Sequence, residues 1–194
     1  MRRIGIYGGT FDPVHYAHLI LAREAIELLE LEKVVFVPAA LSPHKQDRPP
    51  TPPNIRVAML QAGLAGEQRF TVDELELRRP PPSFTIDTIE EFRRANPDAE
   101  IFLCIGSDNL PRLHTWHRFE ELRELVRFVV LDRGAAALNG DYEVVRRPVD
   151  ISSTEVRNRV ATGQPIRYLV PPAVEEIIRR EQLYQEPTRS LPKS

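Results

Sequence analysis

The segment Ile4-Gly5-Ile6-Tyr7-Gly8-Gly9-Thr10-Phe11-Asp12-Pro13-Val14-His15-Tyr16-Ala17-His18 carries three signals in succession. A short apolar run reads as a buried strand. It stops at Gly8-Gly9, where the backbone can turn tightly and a ligand can approach without a Cβ in the way. A helical pattern then begins (Leu19, Leu21, Ala22, Ile26, Leu29) with His15 and His18 at its start. Positions i and i+3 share a helix face, so both imidazoles are expected on one face of the first turn. A bare-backbone turn feeding a helix N-terminus suits an anionic, phosphate-rich ligand.

The rest of the chain repeats this alternation. Strand-like runs lie at 33–37 (K-V-V-F-V), 100–105 (E-I-F-L-C-I) and 128–131 (F-V-V-L), with a shorter candidate at 70–72. Helical patterns cover 18–29, 54–65, 85–94, 119–125, 153–161 and 173–181. Such alternation predicts an α/β fold, a doubly wound parallel sheet with helices on both faces. Ligands in such folds bind beyond the carboxyl ends of the strands, where the Gly-Gly turn is expected. Prolines crowd the stretch 41–53, which also holds His44, Lys45 and Arg48, and recur at Pro80-Pro81-Pro82. Neither stretch suits a central strand or a helix interior. The expected organisation is a single domain over 1–185 with a tail over 186–194.

Composition narrows the class of function. The chain has 194 residues, 42% hydrophobic and 28% charged, with a net charge of −2. It carries no general basic field, so nucleic acid is not an expected partner and an anionic substrate needs local groups. The single cysteine, Cys104, lies in an apolar run and points to a buried thiol in a reducing, cytoplasmic setting rather than a disulfide framework. No signal peptide and no membrane-length apolar run is legible. A homo-oligomer is compatible with the sequence.

Four further stretches carry polar groups at element ends. In Ile151-Ser152-Ser153-Thr154-Glu155-Val156-Arg157, Ser152 and Glu155 have capping-box spacing, and capping alone accounts for the serines. Arg157, one turn further on, can reach an anion facing the first-turn N–H groups. In Ile105-Gly106-Ser107-Asp108, a strand ends in glycine and a carboxylate follows, suited to a ribose hydroxyl or to capping a short helix at 109–113. Lys45, in a proline-rich loop, reads as a solvated charge or as a cation swinging over phosphates. Trp116, the only tryptophan, can pack or stack on a flat ring. His114 and His117 beside it lack a third ligand at metal-site spacing. Neither G-x-G-x-x-G nor G-x-x-x-x-G-K-[ST] occurs at the first turn, which argues against a dinucleotide-binding dehydrogenase and a P-loop NTPase.

With these residues in place, G-G-T-F-D-P-V-H-Y-A-H at 8–18 resembles the first signature of the HxGH nucleotidyltransferases, and I-S-S-T-E-V-R at 151–157 resembles their second. Six further stretches are similar to the bacterial nicotinate-nucleotide adenylyltransferases: L-S-P-H-K at 41–45, P-S-F-T-I-D-T at 82–88, I-G-S-D at 105–108, T-W-H-R-F-E-E-L at 115–122, Y-L-V-P-P-A-V at 168–174 and R-E-Q-L-Y at 180–184. The resemblance implies a Rossmann-like fold of nucleotidyltransferase type. It also implies transfer of the adenylyl group of ATP, with Mg²⁺ on the triphosphate, to nicotinate mononucleotide, giving nicotinate adenine dinucleotide and pyrophosphate. Gly8, Gly9, Thr10, His15, His18, Gly106, Asp108, Ser152, Ser153 and Arg157 would hold ATP, with His15, His18 and Arg157 catalytic. Lys45, Phe84, Thr85 and Trp116 would hold nicotinate mononucleotide, and no protein side chain would ligate the metal. Ala17 stands where the family usually has glycine, Phe84 where tyrosine is usual, and Asp132-Arg133-Gly134-Ala135 replaces an R-P-G turn. Two rival readings are a relative that uses another acceptor, such as phosphopantetheine, and a nucleotide-binding regulator. The long segment after Pro80 and the T-W motif count against the first. Retention of His15, His18 and Arg157 counts against the second.

Overall fold

A computed structural model describes residues 1–40, 49–80, 82–134 and 142–185. Among these, six strands form one all-parallel sheet in the order β3-β2-β1-β4-β5-β6. The strands are β1 (Arg2–Gly9), β2 (Lys33–Pro38), β3 (Phe70–Val72), β4 (Ala99–Gly106), β5 (Arg127–Asp132) and β6 (Glu143–Arg146). The helices are α1 (Tyr16–Leu28), α2 (Pro53–Leu64), α3 (Thr85–Ala95), α4 (Phe119–Leu125), α5 (Ser153–Ala161) and α6 (Pro172–Arg180), with 3₁₀ segments at Leu75–Arg78 and Ser107–Thr115.

The central strands read as unbroken apolar runs because both sheet faces are covered. Alternate residues of β4 part to opposite sides. Phe102 and Cys104 join Leu21, Ala22 and Ile26 of α1, Met59 and Leu60 of α2, and Val174 and Ile178 of α6 in one core. Ile101, Leu103 and Ile105 join Ile86, Ile89 and Phe92 of α3 and Leu122 of α4 in the other. Every strand and helix expected from the sequence is present, those at 70–72, 119–125 and 153–161 with the expected ends and the others with ends shifted by a few residues at most. Periodicity did not indicate β6 or the 3₁₀ segment Leu75–Arg78. As for β6, it is a four-residue edge strand in which only Val145 is buried, so it leaves no apolar run to read.

The order reverses at β1, whose neighbours are β2 on one side and β4 on the other. Connections leave these strands in opposite directions there, and a crevice opens beyond their carboxyl ends. Gly8-Gly9 and Gly106 lie at those ends.

Candidate active site

A cleft of about 1020 Å³ occupies this position. Its lining includes Gly8, Gly9, Thr10, His15, His18, Gly106, Asp108, Ser152, Ser153 and Arg157, and further along Phe84, Thr85 and Trp116. Every sequence-predicted site residue except Lys45 therefore faces one cavity. Lys45 lies outside the described residues.

The turn after β1 is shaped by its own aromatic ring. Phe11 adopts φ 48° and folds back so closely that a Cβ on Gly9 would stand 2.9 Å from its ring. A Cβ on Gly8 would meet only open space, so bare backbone is presented to the cleft.

The two histidines do not share a helix face. His15 has extended backbone and is the residue before α1, whereas His18 sits in the first turn. The backbone N–H of His15 donates to Nδ1 of His18 over 3.2 Å, and the imidazoles stack with centroids 3.7 Å apart and planes at 25°. With Nδ1 accepting, neutral His18 carries its proton on Nε2. Phe11 supports the same ring edge-on at 5.1 Å. His15 is buried with Nδ1 unpartnered. Burial, reinforced by the nearby Arg133 guanidinium, pushes its pKa down to about 3, so the imidazole is neutral near pH 7. Periodicity could not reveal this arrangement, because it depends on where α1 begins. The Leu169 carbonyl sets that start by accepting the Tyr16 N–H at 3.0 Å.

The second wall is the start of α5. Ser152 caps the helix, its Oγ accepting the Glu155 N–H at 3.1 Å. Ser153 Oγ donates to the Pro13 carbonyl at 2.9 Å, and Arg157 Nη1 donates to the Asp12 carbonyl at 2.8 Å. Arg157 Nη2 also donates to Thr154 Oγ1 at 3.2 Å. A guanidinium has five N–H donors, so Arg157 can bond the turn and still face an anion. Arg133 donates to the Ile151 carbonyl at 2.8 Å, tying the end of β5 to this helix start. Asp108 lies inside the 3₁₀ segment after β4, which runs longer than the expected 109–113 and has Gly106 as its N-cap, so Asp108 is not the capping residue.

At the far end, Phe84 precedes α3 and offers no side-chain cap, so the N–H groups of Thr85 and Ile86 lack helical partners. The Phe84 ring lies 4.4 Å from that of His117, and Trp116 packs partly against the core beside them. Ala17 is buried on α1 and its methyl group borders the cleft.

Sequence reading missed the groups behind the site. Arg56 is fully buried and donates to the carbonyls of Thr10 (2.8 Å), Ala39 (2.9 Å) and Thr51 (2.9 Å). Its only sequence signal is a charge on the stripe shared with Met59 and Leu60. Glu76 is buried against Thr88, whose hydroxyl donates to it at 2.8 Å, and burial holds its carboxyl above the usual range. Asp12 and Tyr184 form a third such group.

Among the described residues the arrangement offers what phosphoryl chemistry needs: donors, the guanidinium groups of Arg133 and Arg157, and open backbone. Comparison with known proteins points the same way. The model of the cytidylyltransferase-like family matches residues 6–159. A probable nicotinate-nucleotide adenylyltransferase of Geobacillus thermodenitrificans is 43% identical over 187 residues, spanning 95% of this chain and 87% of that protein. One from Shouchella clausii is 43% identical, spanning 95% and 97%. One from Thermomicrobium roseum is 39% identical, spanning 99% and 96%. The solved structure of Plasmodium falciparum nicotinic acid mononucleotide adenylyltransferase complexed with NaAD superposes with a TM-score of 0.82 at 21% identity, over 95% of this chain and 98% of that one. That last likeness is one of fold.

Proposed function

The chain belongs to the cytidylyltransferase-like family, alongside the nicotinate-nucleotide adenylyltransferases, and from that premise we propose that it joins ATP to nicotinate mononucleotide in NAD biosynthesis. A 5′-phosphate oxygen of nicotinate mononucleotide attacks the α-phosphorus of ATP. The bond from that phosphorus to the bridging oxygen breaks, pyrophosphate leaves, and nicotinate adenine dinucleotide remains. The protein forms no covalent bond, and its contribution is positioning and stabilisation of charge.

The observation that carries this reading is the stacked His15–His18 pair in the same cleft as Arg157. His18, with its proton on Nε2, donates to the phosphates as negative charge gathers on the leaving oxygen. His15 is neutral and lines the cleft beside His18, so it faces the same phosphates. Arg157 and the backbone N–H of Ser153 at the start of α5 take the β and γ phosphates, the turn at Gly8, Gly9 and Thr10 lies against the nucleotide, and Asp108 accepts from the adenosine ribose. Trp116 stacks on the pyridine ring. The Thr85 and Ile86 N–H groups receive the nicotinate carboxylate, since a helix N-terminus favours an anion. The resemblance assigns Lys45 to the phosphates.

Mg²⁺ enters this scheme on the triphosphate, where it neutralises charge. It is typically bound through phosphates and only one or two carboxylates. Among the described residues no three His, Cys, Asp or Glu side chains converge on one point. Among those residues, too, no helix is long and apolar enough to cross a membrane. The compartment we propose is the cytoplasm.

The test is pyrophosphate release with ATP and Mg²⁺, comparing nicotinate mononucleotide, nicotinamide mononucleotide and phosphopantetheine. The expected result is a clear kcat/KM advantage for the nicotinate form. Release only with phosphopantetheine would reassign the acceptor. Intact ATP binding without release from any of the three would make the protein a nucleotide-binding regulator.

A further inference from the structure

The C-terminal stretch Arg180-Glu181-Gln182-Leu183-Tyr184 has no part in the chemistry above, yet its last residue reaches the turn that opens the chain. The Tyr184 hydroxyl donates to Asp12 Oδ1 at 2.5 Å across 172 residues, and both side chains are buried. The other carboxylate oxygen, Oδ2, accepts the Thr51 N–H at 3.1 Å. The backbone carbonyl of the same Asp12 accepts Arg157 Nη1 at 2.8 Å. Asp12 is thus a node with every acceptor group in use. Its carboxylate is held by Tyr184 and Thr51, and its carbonyl holds Arg157.

Packing alone would need only the Tyr184 ring, which lies in the core beside α6. The hydroxyl does something different. Without it, one oxygen of a buried carboxylate loses its donor, and such a group turns or draws in water rather than stay unpaired. The carboxylate anchors the Asp12 backbone in the turn, and without that anchor the carbonyl on which Arg157 rests is no longer held in place. We propose that Tyr184 is a positioning residue for adenylyl transfer: its hydroxyl fixes Asp12 so that the Asp12 carbonyl keeps the Arg157 guanidinium at the triphosphate end of the cleft. The proposal rests on Arg157 as a triphosphate ligand, as read above.

The experiment uses the full chain in wild-type form and as Tyr184→Phe, Leu183→Ala, Arg157→Ala and the Tyr184→Phe/Arg157→Ala double variant. Turnover, thermal midpoint and the Kd of a non-hydrolysable ATP analogue are measured at one temperature below all midpoints. Tyr184→Phe should lower kcat/KM for ATP by about tenfold, the effect of one hydrogen bond to a charged group, and leave the KM for nicotinate mononucleotide within about twofold. Leu183→Ala removes partly buried packing from the same segment without touching Asp12, so it should lower the midpoint and leave turnover unchanged. In the Arg157→Ala background, Tyr184→Phe should have no further effect, an epistasis that a purely structural role would not produce.

Wild-type kinetics in Tyr184→Phe, an equal loss in Leu183→Ala, or an undiminished Tyr184→Phe effect without Arg157 would each overturn the proposal. If the wild type releases no pyrophosphate with nicotinate mononucleotide, the acceptor assignment fails instead. Positioning is then judged by binding: analogue affinity weakened about tenfold in Tyr184→Phe upholds it, and unchanged affinity overturns it.

Discussion

His15 and His18 differ in environment although their rings touch, and this sets what each contributes. His18 is oriented by the His15 backbone N–H, which fixes its tautomer. A donor aimed at charge that develops only during transfer should act on kcat more than on binding. His18→Ala should therefore lower kcat by roughly a hundredfold or more, while the Kd of an ATP analogue, measured by calorimetry, changes by about threefold at most. A near-normal kcat would remove His18 from the chemistry. His15 makes a different prediction, about pH. Its folded pKa of about 3 lies below the ordinary 6.5. Between those values the unfolded chain binds a proton that the folded protein does not. Its contribution to stability is complete above pH 6.5 and is lost as pH falls towards 3. Buried Glu76 is shifted upward and opposes this trend over its own range, so the comparison of interest is with a variant. In denaturant titrations from pH 7 to 4, the wild type should lose about 1 kcal/mol per pH unit more than His15→Asn. Parallel curves would mean that His15 is not desolvated.

Element ends do most of the binding work. The helices α1, α5 and α3 begin at the cleft, each differently. The first N–H of α1 is taken by Leu169, α5 is capped by Ser152, and α3 has no side-chain cap from Phe84. The uncapped end is the one proposed to read a carboxylate. Thr85 is the first residue of α3, a position that tolerates proline, and Phe84 already has the extended backbone (φ −99°, ψ 145°) that a residue before proline prefers. Thr85→Pro should leave the helix intact, shown by an unchanged circular dichroism spectrum. It deletes one N–H, so kcat/KM for nicotinate mononucleotide should fall by roughly tenfold with the KM for ATP unchanged. An unaffected KM and kcat for the acceptor would move the carboxylate elsewhere. Arg56 plays the corresponding part for loops. Its three donors join the β1 turn to Ala39 and Thr51, which stand on either side of the 41–48 stretch.

At the scale of the whole molecule, the cleft sits over a two-sided core. Cys104, the only cysteine, is in the middle of that core on β4, and burial pushes its thiol up to about 12. A buried thiol in an apolar setting is inert. It should resist a neutral thiol reagent in the native state and react at a rate set by global opening, slowed further by an ATP analogue in proportion to its binding energy. Rapid labelling in buffer would mean that the central strands open locally. The sequence by itself determined the alternation of strands and helices, the glycine turn and a set of site residues that, Lys45 apart, all face the cleft. Periodicity, turn chemistry and motif spacing are local properties, and burying both faces of a parallel sheet leaves unmistakable apolar runs. Only the tertiary structure decided the strand order, the edge strand β6, the placing of His15 outside α1, and the ties from Arg56 and Tyr184 to the turn. Each of these depends on contacts between residues distant in sequence. A buried arginine or tyrosine looks like any other until the groups that satisfy it, tens to nearly two hundred residues away, are brought within hydrogen-bonding distance.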